Sequence, residues 1–443
     1  MRIKLSDHFN SRKLIRFTLP SVVMMIFTSI YSVVDGLFVS NFVGKTPFAA
    51  INLIMPLLII VGALGFMIGT GGTAIVSKTL GEGKKELANQ YFSMLVYVTI
   101  AGGILFAILG EIFLPTASVL LGAEGEMLDN CILYGRILLA SMPFFMLQNV
   151  FQSFFVTAEK PQLGLAVTIA AGVTNMVLDA LFVAVFQFGL AGAAWATAIS
   201  QTIGGLFPIL YFTRKNNSLL HLTRSPFYGR ILLHTCTNGS SELMSNISAS
   251  VVTMLYNFQL MRIAGEDGVA AYGAIMYVSF IFCAIFIGYA VGSAPVIGYH
   301  FGAGNTDELK SLLKNSLRLI GIAGCMMAVL SFILSVPMSR LFVGYDQELY
   351  QLTVRGFQIY AFSFLLCGLN IFGSAFFTAL NNGLLSAVIS FLRTLFFQSI
   401  SVLVLPVFLG IDGIWLAIVA AELAALAVTA SLLIANRKKY RYG

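Results

Sequence analysis

An amide and a carboxylate stand four residues apart inside an apolar run of the chain, at about residues 163–186. They are Asn175 and Asp179, and this spacing places both groups on one face of a helix. A carboxylate near the middle of a membrane helix costs about 2.5–3.5 kcal/mol on insertion scales, so it usually faces a bundle interior or a water-filled cavity. A second carboxylate, Asp35, lies in the first apolar run. We interpret these residues as the chemical centre of a membrane transporter.

Two carboxylates buried close together can hold one proton between them, because burial and a neighbouring negative charge both disfavour the second ionisation. Such a pair could release its proton when the cavity around it hydrates. Asn175 could donate a hydrogen bond to the charged form, and Thr197 could do so from the next helix. The alternatives are structural: Asp179 could tie two helices together, and Asp35 could reach water near the outer helix end.

The composition identifies the elements that must position these groups. The chain has 443 residues, of which 58% are hydrophobic and only 10% are charged, against about 25% charged in ordinary soluble domains. Its mean hydropathy is +0.89. The apolar runs reach the ~20 residues that a spanning helix needs, and the alternating ~10-residue segments of a barrel do not occur. We therefore predict an all-α integral membrane protein.

Twelve apolar runs predict twelve transmembrane helices in two lobes. The runs lie at about 16–40, 48–77, 91–114, 131–157, 163–186, 190–213, 236–261, 270–298, 314–336, 353–379, 385–408 and 410–435. We assign residues 1–213 to an N-lobe, 214–230 to a cytoplasmic linker and 231–443 to a C-lobe.

The positions of the basic residues predict the orientation. If both termini are cytoplasmic, the inner segments hold twenty Lys and Arg, whereas the outer loops hold Lys45, Arg262 and Arg340, with Arg355 near the start of a helix. This is a strong positive-inside asymmetry, and it supports an even number of spans. The net charge of +7 therefore reflects topology and does not indicate a nucleic-acid partner.

An internal repeat relates the two halves at an offset of 221 residues. Gly81 and Gly83 recur as Gly302 and Gly304, and identities of this kind keep the offset without gaps from about 49 to 417. An offset of six helices predicts a pseudo-twofold axis along the membrane normal, a substrate cavity between the lobes and access switched by rocking. On this register Asp35 and Asp179 have no acidic counterparts, which makes them candidates for the special function.

Five further residues are candidates for the transport machinery. Pro20 lies fifteen residues before Asp35 and could act as a hinge, although static kinks also occur at proline. Glu242 and Arg393 carry opposite charges in the seventh and eleventh runs and could neutralise each other. Gln259 and Glu422 are further polar candidates in the C-lobe; Glu422 could face the cavity or interfacial water.

The sequence resembles the multidrug and toxic compound extrusion family over essentially its whole length. The resemblance rests on two six-helix halves, the repeated Gly-x-Gly segments, Asp35 after a first-helix proline, and Asn175-x-x-x-Asp179 followed by Gly-x-x-Gly-Ala-Ala-Trp-Ala-Thr197. It implies a bacterial branch with an acidic residue in the first helix. It also implies that Asp35, Asn175, Asp179 and Thr197 form the N-lobe coupling site, with H+ favoured over Na+ as the ion.

The resemblance implies export of cationic aromatic compounds from a bacterial inner (plasma) membrane, without a cofactor. Family members with a C-lobe sodium site carry acidic residues in the seventh and tenth helices, but the tenth run here, 353–379, has none. The expected partners are small organic cations and the lipid bilayer, and we expect a monomer. The alternatives are a flippase for lipid-linked saccharides and, from a different class, a membrane-embedded enzyme.

Overall fold

The computed structural model describes residues 3–344 and 346–442, and over these residues it consists of helices and short connections. The spans are α1 (Ser11–Phe42), α2 (Lys45–Gly81), α3 (Lys85–Leu120), α4 (Gly125–Ala140 and Met142–Thr157), α5 (Pro161–Val185), α6 (Gly189–Thr213), α7 (229–264), α8 (266–302), α9 (Thr306–Val343), α10 (Gln347–Ala361 and Phe364–Ala379), α11 (Gly383–Leu409) and α12 (Ile411–Tyr440).

The helices α7 and α8 form a hairpin. The segment Gly229–Gly302 is hydrogen-bonded as one helix of 74 residues, which would be about 110 Å long if straight, against a hydrocarbon core of about 30 Å. It turns at Gly265, whose φ of 64° and ψ of −149° suit a residue without a Cβ. The rings of Tyr256 and Tyr272 stack across the turn with centroids 5.0 Å apart. The two arms are thus separate spans.

Two other spans are broken. The two parts of α4 meet at an angle of 55° and those of α10 at 48°. Within the described ranges, nine helices are long and apolar enough to cross a membrane, the hairpin among them counting as two spans, and the two bent pairs complete a set of twelve. The predicted count of twelve spans is confirmed.

The two lobes meet through a reciprocal pair of glycines. A Cβ on Gly81 would lie 2.0 Å from the carbonyl oxygen of Tyr299, and a Cβ on Gly302 would lie 2.0 Å from that of Lys78. Both pairs are related by the repeat offset of 221 residues. Contacts that are the same in both directions are what a twofold axis produces. The crossing of α2 and α8 is therefore a backbone contact that only glycine permits.

The prediction of a gapless repeat is wrong. The turns at Gly83 and Gly304 keep the offset of 221, but the matching left-handed turns at Glu159 and Asn381 are 222 residues apart. The cause is that α9 has 38 residues where α3 has 36, while the loop after α9 is one residue shorter. On the register of this turn, the counterpart of Asp179 is Ser401 rather than Ile400.

The segment that connects the lobes lies along α3. The backbone N–H of His221 donates to Oδ1 of Asn89 at 2.9 Å, and that of Thr223 donates to Oγ of Ser93 at 2.8 Å. Asn89 and Ser93 stand one turn apart on α3. The connection is thus fixed to the N-lobe by side chains that satisfy its backbone.

Residues 3–10 form an N-terminal strap that contacts both lobes. Leu5 and Phe9 are fully buried. The backbone N–H of Leu5 donates to Oε1 of Glu159, in the turn between α4 and α5, at 2.8 Å. The backbone N–H of Phe9 donates to Oε1 of Glu308, at the start of α9, at 2.7 Å. The strap therefore joins the N-lobe to the C-lobe at the end of the molecule where the chain begins.

Candidate functional site

Close packing of α1 on α5 brings the two predicted carboxylates together. A Cβ on Gly172 of α5 would lie 2.5 Å from the ring of Phe27 and 2.9 Å from that of Tyr31, so α1 approaches closely only at this glycine. Asp179 follows Gly172 by two helical turns, and Asp35 follows Tyr31 by one, on the faces that meet. The two carboxylates consequently face each other.

Asp35 and Asp179 lie within hydrogen-bonding reach of each other, so that a proton can be shared between them. Asp179 is fully buried. Among the described residues, no N–H or O–H group donates to either oxygen of Asp179 or to Oδ1 of Asp35. None of the ion pairs in that part of the chain includes either residue. Because an unpartnered buried carboxylate is costly, the pair requires a proton or a cation.

The structure places Asn175 and Thr197 beside this pair, with one difference from expectation. The Nδ2 group of Asn175 donates to Oγ1 of Thr197 at 3.5 Å instead of to a carboxylate, and Oδ1 of Asn175 has no donor among the described residues. The two carboxylates, the amide and the hydroxyl thus sit together with unused oxygen atoms. We call these four residues the N-lobe centre. Its oxygen donors suit either a proton or Na+.

Two tyrosines at the N-lobe centre were not predicted. The buried Tyr134 lies near both carboxylates and hydrogen-bonds with Thr197, and Tyr31 lies near Asp35 and hydrogen-bonds with Gln148. The position of Tyr31 one turn before Asp35 was a usable signal. Nothing in the sequence around Tyr134 points to the centre, because the bend in α4 determines where its side chain lies.

Both lobes have a π-helix beside their charged residue. In α5 the α-helix ends at Asp179 and continues as the π-helix Ala180–Val185; in α11 the π-helix is Leu392–Phe397, which contains Arg393. Wide turns of this kind often occur at functional sites. They carry no pattern of residue types that would have predicted them.

In the C-lobe, Arg393 pairs with Glu422 and not with Glu242, so the predicted neutralisation of Glu242 by Arg393 is wrong. Nε of Arg393 lies 2.9 and 3.0 Å from the two carboxylate oxygens of Glu422, and Nη2 lies 2.8 Å from Oε1. The Nδ2 group of Asn370 donates to Oε2 of Glu422 at 2.7 Å, and Thr429 donates to Oδ1 of Asn370 at 3.0 Å. Arg393, Glu422, Asn370 and Thr429 form the C-lobe centre.

A cavity of about 190 Å³ lies between the lobes. Thr70 on α2 and Ser153 on α4 contribute from the N-lobe, and Glu242 on α7 and Arg393 on α11 contribute from the C-lobe. Within the described ranges, Glu242 takes part in no ion pair. The cavity therefore presents one carboxylate without a counterion and one guanidinium whose counterion lies behind it.

The remaining candidates lie apart from both centres. Pro20 is inside α1, where it lacks the N–H that would continue the helix hydrogen bonding. Gln259 is buried and donates to the carbonyl oxygen of Val402 at 3.1 Å, so it ties α7 to α11 outside the cavity. Glu422 is 1% exposed and faces Arg393 rather than interfacial water.

Comparison with known proteins extends these observations. The model of the MatE family matches the chain twice, over residues 20–181 and 243–403. The multidrug export protein MepA of Staphylococcus aureus (strain MSSA476) is 24% identical over 420 residues, covering 94% of this chain and 92% of that protein. MepA of Staphylococcus haemolyticus (strain JCSC1435) is 26% identical over 323 residues, covering 72% and 71%.

Two solved structures share the fold. A multidrug resistance MATE family transporter of the MOP superfamily, in an outward-facing conformation, has a TM-score of 0.93 at 21% identity, with 98% of each chain covered. A MOP superfamily transporter from Pyrococcus furiosus, described as having a binding pocket of reverse polarity that suggests a different function, has a TM-score of 0.90 at 21% identity, covering 98% of this chain and 97% of that one. The twelve-helix, two-lobe architecture is thus common to all three.

Proposed function

The chain belongs to the multidrug and toxic compound extrusion family, and on this premise we propose that it is an antiporter that uses an ion gradient to export cationic aromatic compounds. It is a multi-pass membrane transporter of small molecules and not an enzyme, because its family and its relatives are transporters. The proposal adds the coupling, the charge of the substrate and the direction. It also includes the bacterial plasma membrane, a monomeric state and two cytoplasmic termini.

The observation that carries the coupling is the unpartnered carboxylate pair of Asp35 and Asp179. A buried pair without donors binds a proton or Na+ whenever it is accessible, and it must lose that ion before it can be used again. In the proposed cycle the pair takes up H+ from outside, which displaces the substrate outward, and H+ then leaves to the cytoplasm. Asn175 and Thr197 would supply the additional oxygen ligands if the ion were Na+.

The lobe contacts support an outward-facing state. The reciprocal contact of Gly81 and Gly302 and the N-terminal strap hold the lobes together at the end where the chain begins. With the termini in the cytoplasm, as the distribution of basic residues predicts, this closes the cavity on the inner side. Transport then requires these contacts to separate in the inward-facing state.

The test is dye efflux from everted vesicles or cells with the proton and sodium gradients collapsed separately. Efflux that stops only with a proton uncoupler identifies the carboxylate pair as a proton exchanger. Efflux that stops only on removal of sodium assigns the same residues as Na+ ligands. If no cationic dye moves and neither gradient matters, the export proposal fails, and a flippase for lipid-linked saccharides becomes the better candidate.

A further inference from the structure

Arg393 presents unused hydrogen-bond donors to the cavity. A guanidinium has five N–H groups. The groups on Nε and one on Nη2 point to Glu422, at 2.8–3.0 Å. Within the described residues, both N–H groups of Nη1 lack a hydrogen-bond partner, and the 16% of the side chain that is exposed belongs to a residue of the cavity wall. The guanidinium is thus held by its inner edge and open at its outer edge.

Glu242 provides the opposite charge in the same cavity. It extends from α7, whereas Arg393 extends from α11, and both line the space between the lobes. Glu422 neutralises Arg393 from behind, so the cavity wall has one uncompensated negative charge and one set of uncompensated donors. A purely cationic ligand would satisfy Glu242 but would leave the donors of Nη1 dry. Unsatisfied donors on a charged group cost more than the 1–3 kcal/mol of a neutral one.

We propose that the cavity binds amphoteric molecules, with a ligand ammonium at Glu242 and a ligand carboxylate at the outer edge of Arg393. The carboxylate accepts charge-assisted hydrogen bonds from Nη1, and the ammonium neutralises Glu242. The inference rests on the proposed export function for its purpose, because it names the class of substrate. It does not depend on which ion drives transport, because the binding site is separate from the N-lobe centre.

Equilibrium binding to the purified full chain in lipid nanodiscs tests the proposal without any ion gradient. Three matched probes share one aryl piperazine scaffold: the free carboxylic acid, which is amphoteric; its methyl ester, which is a cation; and the N-acetylated acid, which is an anion. We expect the acid to bind about tenfold more tightly than the ester, corresponding to about 1.4 kcal/mol. Equal affinities for acid and ester would overturn the proposal.

Two variants of the guanidinium locate the preference. In Arg393→Lys the ion pair with Glu422 is kept but the planar fork is lost, so the acid should lose most of its advantage over the ester. In the double variant Arg393→Gln with Glu422→Gln both charges are removed together, and acid and ester should bind alike. An undiminished preference for the acid in Arg393→Lys, which needs no loss of the buried pair, would contradict the assignment.

The Glu242→Gln variant tests the other half of the site. The acid and the ester should both weaken by about tenfold, while the N-acetylated anion should bind at least as well as before. The exposed Asp267 at the hairpin turn supplies a matched control, since Asp267→Asn should change none of the three affinities. An ester that keeps its affinity in Glu242→Gln would place the cation elsewhere. Failure of these binding results would leave ion-driven dye efflux unaffected, and loss of efflux alone would leave the binding preferences unchanged.

Discussion

The two lobes handle buried charge in opposite ways. In the N-lobe centre, Asp35 and Asp179 face each other without donors among the described residues. In the C-lobe centre, every part of the Glu422 carboxylate is occupied, by Arg393 and by Asn370. A buried charge with all its partners in place joins helices and resists change. A buried charge without partners is a place where an ion must come and go.

The difference is the more informative because the two centres occupy matching places in the repeat. Asp179 and Arg393 both lie beside a π-helix, in α5 and α11. The duplicated fold therefore provides the same local distortion twice, and the residue type placed there decides its use. The predictions below test whether the N-lobe centre alone exchanges ions and the C-lobe centre alone stabilises the fold.

The largest expected effect is that of Asp179→Asn on transport. An amide cannot take up and release a proton, so dye efflux should fall to the passive leak rate and lose its dependence on the proton gradient. The fold should survive, because among the described residues no hydrogen bond is donated to the Asp179 oxygens. The measurement is efflux from vesicles with an imposed pH gradient. Gradient-driven efflux at the native rate would show that the carboxylate pair is not the coupling site.

The C-lobe centre should respond in stability instead. Arg393→Met leaves Glu422 buried without its counterion, which typically costs about 3–5 kcal/mol, so the thermal unfolding midpoint of the purified protein should drop clearly. The control is Arg355→Met, which breaks the more exposed pair of Arg355 with Asp412 and should cost less than about 1 kcal/mol. Similar shifts for both variants would mean that the buried network does not stabilise the lobe.

The lobe interface should be sensitive to one methyl group. Gly81→Ala places a Cβ against the carbonyl oxygen of Tyr299, and an overlap of this kind costs about 1–3 kcal/mol, enough to shift a conformational equilibrium tenfold or more. A cysteine introduced at Ser245, in a cysteine-free background, should then react less with an impermeant maleimide added outside. Gly102→Ala, where a Cβ meets nothing within 4 Å, should leave the labelling rate unchanged. Unchanged labelling in Gly81→Ala would contradict inward closure at this glycine.

The smallest effect is expected at the edge of the N-lobe centre. Thr197→Val keeps the shape of the side chain but removes the acceptor for Asn175 and the partner of Tyr134, a loss of about 0.5–1.5 kcal/mol, so efflux should fall about threefold to tenfold. Thr174→Val removes only a hydroxyl bonded within its own helix and should change the rate less. Equal rates for the two variants would remove Thr197 from the centre.

The sequence was sufficient to predict the spans and the N-lobe centre, for a physical reason. A carboxylate in an apolar run is expensive wherever it faces lipid, so Asp35 and Asp179 had to face inward. Their spacing from Tyr31 and Asn175 follows from helix geometry alone. The twelve runs were long enough to be separated from one another even where the structure joins α7 and α8 across Gly265.

The pairing of Arg393 could not be predicted in the same way. Glu242 and Glu422 are both acidic residues of C-lobe helices, and the choice between them depends on which faces of α7, α11 and α12 meet. The π-helix that contains Arg393 rotates the residues after it, and the longer α9 shifts the repeat by one residue. Neither change leaves a mark in hydropathy, so the identities at an offset of 221 concealed the slip.

The N-terminal strap has a consequence for how the molecule is made. Its residues are the first to be synthesised, but Glu308, which binds the backbone of Phe9, stands 299 positions later in the chain. Until α9 has been translated, Leu5 and Phe9 have only part of their buried surroundings. Docking of the strap is thus a late step of biogenesis, and it reports that both halves have been inserted and brought into contact. A fusion or deletion that alters the first ten residues would remove this assembly checkpoint while leaving all twelve membrane spans intact.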